Sequence, residues 1–164
     1  MKIRELYIDG FGHFHDRHIG PFRSPIVVLH GPNEAGKTTL LAFIRTILFG
    51  FPARNRDKHY PPLGGGRQGG RIAVIDDAGK EYVIERFAGV RGGPIHVRDD
   101  AGAPQDEAVF TKMLGNASQD MFTNVFAFSL EELQTGALLE DTHINGQIYS
   151  RVSAPQSSRR HWRR

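Results

Sequence analysis

The chain has 164 residues, enough for one domain with a real core, and is 39% hydrophobic and 24% charged, which argues against a disordered acidic tail and against a membrane protein. It has no cysteine, which excludes disulfides, thiolate zinc sites and thiol chemistry and fits a reducing cytoplasm. The net charge of +3 belongs to the last fourteen positions: without Arg151, Arg159, Arg160, Arg163 and Arg164, 16 basic residues face 18 acidic ones, so the body gives no electrostatic argument for DNA.

In chain order, MKIRELYIDG is polar and strand-like rather than a signal segment, with Ile3, Leu6 and Ile8 alternating. Gly10 and Gly12 mark a turn, and His18-Ile19 falls in a return strand. Pro25-Ile26-Val27-Val28-Leu29-His30 is short, apolar and β-branched, the pattern of a parallel core strand buried on both faces. A helix is expected from Lys37 to Phe49, stopped by Gly50 and Pro52 and covered on most sides. The longest apolar stretch, LLAFIRTILFGF, is broken by Arg45 and too short to span a bilayer.

Residues 51–70 hold four basic residues, three prolines and five glycines, and read as a flexible surface loop. Strands are expected at Arg71–Asp76, Glu81–Phe87 and Ile95–Arg98, the first two joined by Asp77-Ala-Gly-Lys80. A helix is expected at Asp106–Leu114, and residues 150–164 are expected to form a disordered basic tail.

Between the expected core strand and the first helix, Gly31-Pro32-Asn33-Glu34-Ala35-Gly36-Lys37-Thr38 matches G-x-x-x-x-G-K-[ST], the Walker A motif. The glycines let the backbone curl so that successive amides point at phosphate oxygens, and the helix N-terminus adds its positive dipole end. Lys37 places a point charge at the β- and γ-phosphates, and the Thr38 hydroxyl can hold Mg²⁺. Residues 31–39, with Thr39 as the last member, are therefore the candidate cradle for ATP, and Lys37 is a candidate catalytic residue.

A hairpin of about twenty residues precedes this strand, which small-molecule kinases usually lack. Phe11-Gly12-His13-Phe14, GPNEAGKTTLLAFIRTILFGFP, Tyr60-Pro61 and VFAFSLEELQ together resemble the YhaN family, relatives of the SMC, SbcC and RecF proteins described as AAA-type ATPases. The resemblance covers residues 1–149. It implies an α/β fold: the N-terminal lobe of a P-loop NTPase head, with core strand, P-loop helix and antiparallel β-subdomain. It also implies an ATPase acting in DNA repair or recombination, with a head-to-head dimer holding ATP at its interface. A coiled coil and a C-terminal lobe would supply the Walker B acids, the signature motif and the switch histidine. The text after Ile148-Tyr149-Ser150 departs from the family pattern, as a truncated or frame-shifted reading frame would. Gln134 falls where the resemblance places a Q-loop glutamine that senses Mg²⁺ and the attacking water. The local alternative is the first turn of a short helix, since Ser129 and Glu132 have capping-box spacing.

Two strings imitate missing parts. Ile72-Ala-Val-Ile75-Asp76-Asp77 looks like a Walker B strand, but Asp77-Ala-Gly-Lys80 leads straight into another strand and reads as a hairpin turn. Leu63-Gly-Gly-Gly-Arg-Gln68 looks like a signature motif, but Gly69-Gly70 and a strand follow. His13, His15 and His18 are crowded but read as exposed hairpin residues rather than a zinc site, and His13 or Arg17 could partly stand in for the basic residue that SMC-like heads carry beside the nucleotide. The isolated chain is expected to bind Mg-ATP weakly and to turn it over negligibly. Two other classes stay open: a complete small P-loop phosphotransferase with residues 51–70 as lid, and a non-catalytic nucleotide-binding fragment.

Overall fold

The computed structural model of the chain describes residues 1–52 and 59–122. Six strands, β1 (Lys2–Phe11), β2 (Phe14–Ile19), β3 (Gly69–Ile75), β4 (Glu81–Phe87), β5 (Ile95–Asp99) and β6 (Pro104–Gln105), form one sheet in the order β2-β1-β3-β4-β5-β6. Every strand pair in it is antiparallel. Helix α1 (Lys37–Phe49) crosses one face and α2 (Glu107–Met113) packs at the β5 end. A short helical turn, α3, spans Gln119–Met121.

Alternation decides which face is buried. Leu6, Ile72, Ile84 and Val97 stand opposite one another across β1, β3, β4 and β5, and all four are buried against the helices. From α1, Leu40, Phe43, Ile47 and Leu48 fill the same core, and the partly buried Leu41, Ala42 and Ile44 leave no fully exposed side of the helix after its first turn. Burying each such side chain contributes about 1.5–3 kcal/mol, so the row and the helix hold each other in register.

Arg86 breaks this pattern. It follows Tyr82 and Ile84 on the inward face of β4, yet it is a cation, 8% exposed. Its Nε donates to the Ile47 carbonyl at 3.0 Å and its guanidinium NH1 to the Gly93 carbonyl at 3.0 Å. The first of these satisfies a last-turn carbonyl of α1, a helix with no basic residue in its own last turn. Burial pulls the Arg86 pKa down, and the charge of Glu107 pushes it back up.

On the opposite face, Tyr7 stacks on His18 with ring centroids 4.4 Å apart, and both hydrogen-bond to the Glu5 carboxylate. The Tyr7 hydroxyl, ahead of His18, holds the Glu5 carboxyl below its ordinary pKa.

The expected core strand Pro25–His30 does not form. The segment pairs with no described strand, and its apolar residues are open: Ile26 80%, Val27 44%, Val28 82% and Leu29 46% exposed. The exposure still alternates with period two, and Val27 and Leu29 line a groove of about 560 Å³ with Phe22, Ile44 and Ile75. The residues have the extended alternation of a strand but pair with no described strand, so among the described residues every strand pair is antiparallel and the parallel core strand read from the sequence does not appear.

Arg86→Ala leaves the Ile47 and Gly93 carbonyls without their donor and opens a void. Urea unfolding is expected to show a loss of about 2–4 kcal/mol; a change under about 0.5 kcal/mol, ordinary for a surface site, would deny Arg86 this role. The depressed Glu5 pKa makes a contribution that is complete above the carboxyl's unfolded pKa and disappears as pH falls through the lower folded value. Tyr7→Phe should therefore flatten the acid limb of the stability profile, and an unchanged limb would count against that linkage.

Candidate functional site

The loop Gly31–Gly36 leads into α1 at Lys37 without a side-chain cap. Gly36 takes the N-cap position with φ of +91°, and Glu34 is also left-handed at +68°. Left-handed residues placed two apart fold the chain into a concave turn whose amides converge. Within it, the Ala35 amide donates to the Pro32 carbonyl at 3.3 Å, and the first helical bond runs from the Leu40 amide to the Gly36 carbonyl at 2.8 Å. The amides of Lys37, Thr38 and Thr39 precede the point where intrahelical bonding begins. By contrast, Asp106 caps α2 by accepting from the Ala108 amide, and Ser118 caps α3 by accepting from the Met121 amide. No acidic residue lies in the first turn of α1, an arrangement compatible with an anion at its N-terminus.

The Lys37 ammonium donates to the Gly31 and Pro32 carbonyls, both at 2.7 Å. It therefore bends back onto the first residues of the loop. Lys37 and Thr38 are exposed, as are Pro32, Asn33, Glu34 and Ala35; Gly31, Gly36 and Thr39 are partly covered. The residues present thus fit a polyphosphate with its metal: amides and Lys37 for the phosphate oxygens, and the Thr38 hydroxyl for Mg²⁺, which would neutralise phosphate charge.

The β1–β2 turn forms the wall beside this loop. A Cβ on Gly36 would lie 2.4 Å from His13 Cε1, 2.5 Å from His13 Nε2 and 2.8 Å from Phe14 Cζ, so only glycine admits the ring. Gly12, buried with φ of +57°, packs against Thr39 Cγ2. Its amide donates to the Tyr60 carbonyl at 3.1 Å, and its carbonyl accepts from Leu63 at 2.8 Å. Residues 59–68 are thereby tied to the turn that touches the phosphate loop, and the Tyr60 ring stacks on Phe11. The sequence signals of this wall are the paired glycines at 12 and 36. The fit of His13 against Gly36 and of Thr39 against Gly12 is a tertiary contact that spacing along the chain does not report, although the family resemblance implies a residue of this turn beside the nucleotide.

The other candidates separate. Asp76 closes the β3–β4 turn: its Oδ1 accepts from the Ala78 and Lys80 amides, both at 2.9 Å, and so is engaged in holding a hairpin. Leu63–Gln68 runs directly into β3 and opens no helix. The three histidines go to different partners: His13 to Gly36, His15 to the Asp9 carbonyl at 3.2 Å, and His18 to Glu5 at 3.1 Å. Arg17 lines a groove of about 230 Å³ with Tyr7, Asp9 and Arg71 on the outer face of the sheet. Gln134, Glu131, Glu132, residues 53–58 and residues 150–164 lie outside the described residues. No described helix is long and apolar enough to cross a membrane.

Asp76→Ala should lower stability by about 1 kcal/mol through the lost turn bonds and leave Mg-ATP affinity unchanged. A tenfold loss of affinity in a variant that still folds would return Asp76 to the metal site.

A protein-family model described as an AAA domain matches residues 1–152. The "Uncharacterized protein YhaN" of Bacillus subtilis (strain 168) is 30% identical over 136 residues, which cover 82% of this chain and 14% of that protein. The chain thus spans about one seventh of the length of this curated relative. With the match running through both the hairpin and the phosphate loop, the chain belongs to the AAA domain family, as a YhaN-like member of the AAA-type ATPases.

Proposed function

We propose that this chain binds Mg-ATP through residues 31–39 and is the N-terminal part of a larger SMC-like ATPase head that works in the cytoplasm in DNA repair or recombination. The observation that carries the reading is the uncapped N-terminus of α1 directly behind a Walker A loop whose Lys37 is already bent over it. Lys37 neutralises the β- and γ-phosphates, the amides from Asn33 to Thr39 orient them, and Thr38 takes the metal. Gln134 is the proposed sensor of metal and water.

Phosphoryl transfer to water needs an aligned nucleophile and stabilised charge in addition to a cradle. Asp76, the best Walker B imitation, is occupied in a turn. The reading therefore assigns the catalytic acid and the signature motif to a C-terminal lobe, joined through a coiled coil, and to the facing head of a dimer. The open apolar residues Ile26 and Val28 beside the P-loop supply the surface on which such a lobe would pack.

Calorimetry should find Mg-ATP binding in the isolated chain and its loss in Lys37→Ala, with turnover near background in both. Steady hydrolysis that Lys37→Ala abolishes would place a catalytic acid within the chain. ADP production that rises only with a small-molecule acceptor would support a phosphotransferase instead. Adding the C-terminal lobe of the full-length protein should raise turnover at least tenfold, and Gln134→Ala should remove most of that gain.

A further inference from the structure

We propose that the open face of the antiparallel sheet, on the side away from α1 and α2, is a self-complementary surface on which a second copy of this chain docks, sheet against sheet. The inference is independent of the nucleotide reading, since it uses the far side of the sheet from α1 and needs no ligand. Its basis is the order of charges along two neighbouring rows of residues. Among the described residues no helix or second layer covers these rows, and Arg67 reaches only the rim, where its guanidinium lies over Phe87.

Residues that alternate with the buried Leu6, Ile72, Ile84 and Val97 point away from the helices. In the first row Glu5 of β1 stands beside Ala73 of β3, Ala73 beside Val83 of β4, and Val83 beside Arg98 of β5. Two residues along the strands, Tyr7, Arg71, Glu85 and His96 form the second row. Each row carries one anion and one cation, placed symmetrically about the line between β3 and β4. A two-fold axis along that line exchanges β3 with β4 and β1 with β5. Glu5 then meets Arg98 of the second copy, Arg71 meets Glu85, and Ala73 meets Val83, each contact occurring twice. Glu5 and Arg98 lie about 7 Å from the axis, one and a half strand spacings. The crossing of about 30° between packed sheets therefore shifts them by only about 4 Å, within reach of side chains this long.

The charges are open to such a partner. Arg71 and Glu85 are cross-strand neighbours, yet the Arg71 guanidinium turns to the Tyr7 ring, 4.7 Å from its centroid, rather than to the carboxylate. Glu85 and Arg98 have no hydrogen-bond or ion-pair partner among the described residues. Tyr7 and His18 both bond to Oε2 of Glu5, which leaves Oε1 for Arg98. The four charged side chains sum to zero, so the face does not repel its copy and has no net attraction for a polyanion such as nucleic acid. Five strands about 4.8 Å apart and the length of β3 bound a face of roughly 20 Å by 24 Å. Pairing removes about 1,000 Å² from water, the low end for a specific interface, so the dimer is weak and reversible.

The test is sedimentation velocity of the full chain without nucleotide across the micromolar range, where a monomer–dimer equilibrium is expected. Glu5→Arg and Arg98→Glu, each first matched to the parent in thermal melting, should raise the dimer dissociation constant at least about tenfold, because like charges then face each other twice. An equimolar mixture of the two variants should recover an affinity within about threefold of the parent's, since the reversed charges meet across the heterodimer. Arg71→Glu and Glu85→Arg form a second such pair that keeps Glu5 with Tyr7 and His18, and carry the test if Glu5→Arg does not fold. Ile26→Glu, on the open segment before the phosphate loop, should dimerise as the parent does. A chain that stays monomeric overturns the proposal, as does a dimer indifferent to both charge reversals or a mixture that remains monomeric. Loss of the dimer in Ile26→Glu would place the association on the apolar segment and overturn it. A dimer seen only with Mg-ATP and absent in Lys37→Ala overturns it too, because pairing would then run through the nucleotide.

Discussion

A side chain can lie against the start of a helix as closely as His13 lies against Gly36 only where that start carries no Cβ. The backbone there is also left-handed, at φ of +91°, so two independent constraints select glycine at the position before Lys37. One comes from the curl that turns amides toward a common centre, the other from the hairpin behind it. Gly12 obeys the same pair of constraints in reverse, with φ of +57° and Thr39 in its Cβ direction. Phosphate loop and hairpin turn therefore form one unit, and residues 59–68 join it through the backbone of Gly12. A side chain at either glycine would separate the hairpin turn from the loop before α1.

Helix α1 is treated differently at its two ends. Its N-terminus receives no side-chain cap, whereas the carbonyl of Ile47 near its C-terminus is taken by a buried guanidinium from β4. Both choices suit the dipole, with room for an anion at the first end and a cation at the last. They do not act on each other by charge. Thirteen residues span about 20 Å of helix, more than twice the Debye length at physiological salt. Arg86 thus does little for a phosphate electrostatically. Its effect is mechanical: by fixing the far end of α1 to β4 it fixes the direction in which the near end points.

What could be read from the sequence was local. Lys37–Phe49 has its apolar residues, its stop at Gly50 and its motif within one short window, and the structure places the helix over those residues. The β3–β4 hairpin announces itself through alternation and an Asp-containing turn. Arg86 left a visible sign, a charge on the inward parity of β4, but its acceptor lies 39 residues earlier on another element. The tie of residues 59–68 to the hairpin runs through main-chain groups of Gly12, which no side-chain pattern reports. Pro25–His30 went astray for the opposite reason. Its composition describes a buried strand, and composition carries no information about whether the neighbouring strands are at hand.

That segment sets the strongest condition on what surrounds the site. Val27 and Leu29 have found partial cover over Ile44 and Ile75, while Ile26 and Val28 stand about four-fifths exposed, immediately before the loop that carries Lys37. β-branched residues on both faces call for cover on both faces, and an extended segment paired with no described strand calls for a strand at its side. The described antiparallel sheet cannot provide it, since its strands are already ordered from β2 to β6 and none pairs with this segment. A strand placed there from elsewhere would fix the backbone at Leu29 and His30, and through it the entrance to the phosphate loop at Gly31. On the proposed reading the lobe that brings the missing catalytic acid is also the lobe that brings this strand. Covering the apolar edge and completing the chemistry would then be a single docking event, and the affinity of the loop for nucleotide would rise with it, because an anchored loop loses less conformational freedom when a phosphate arrives.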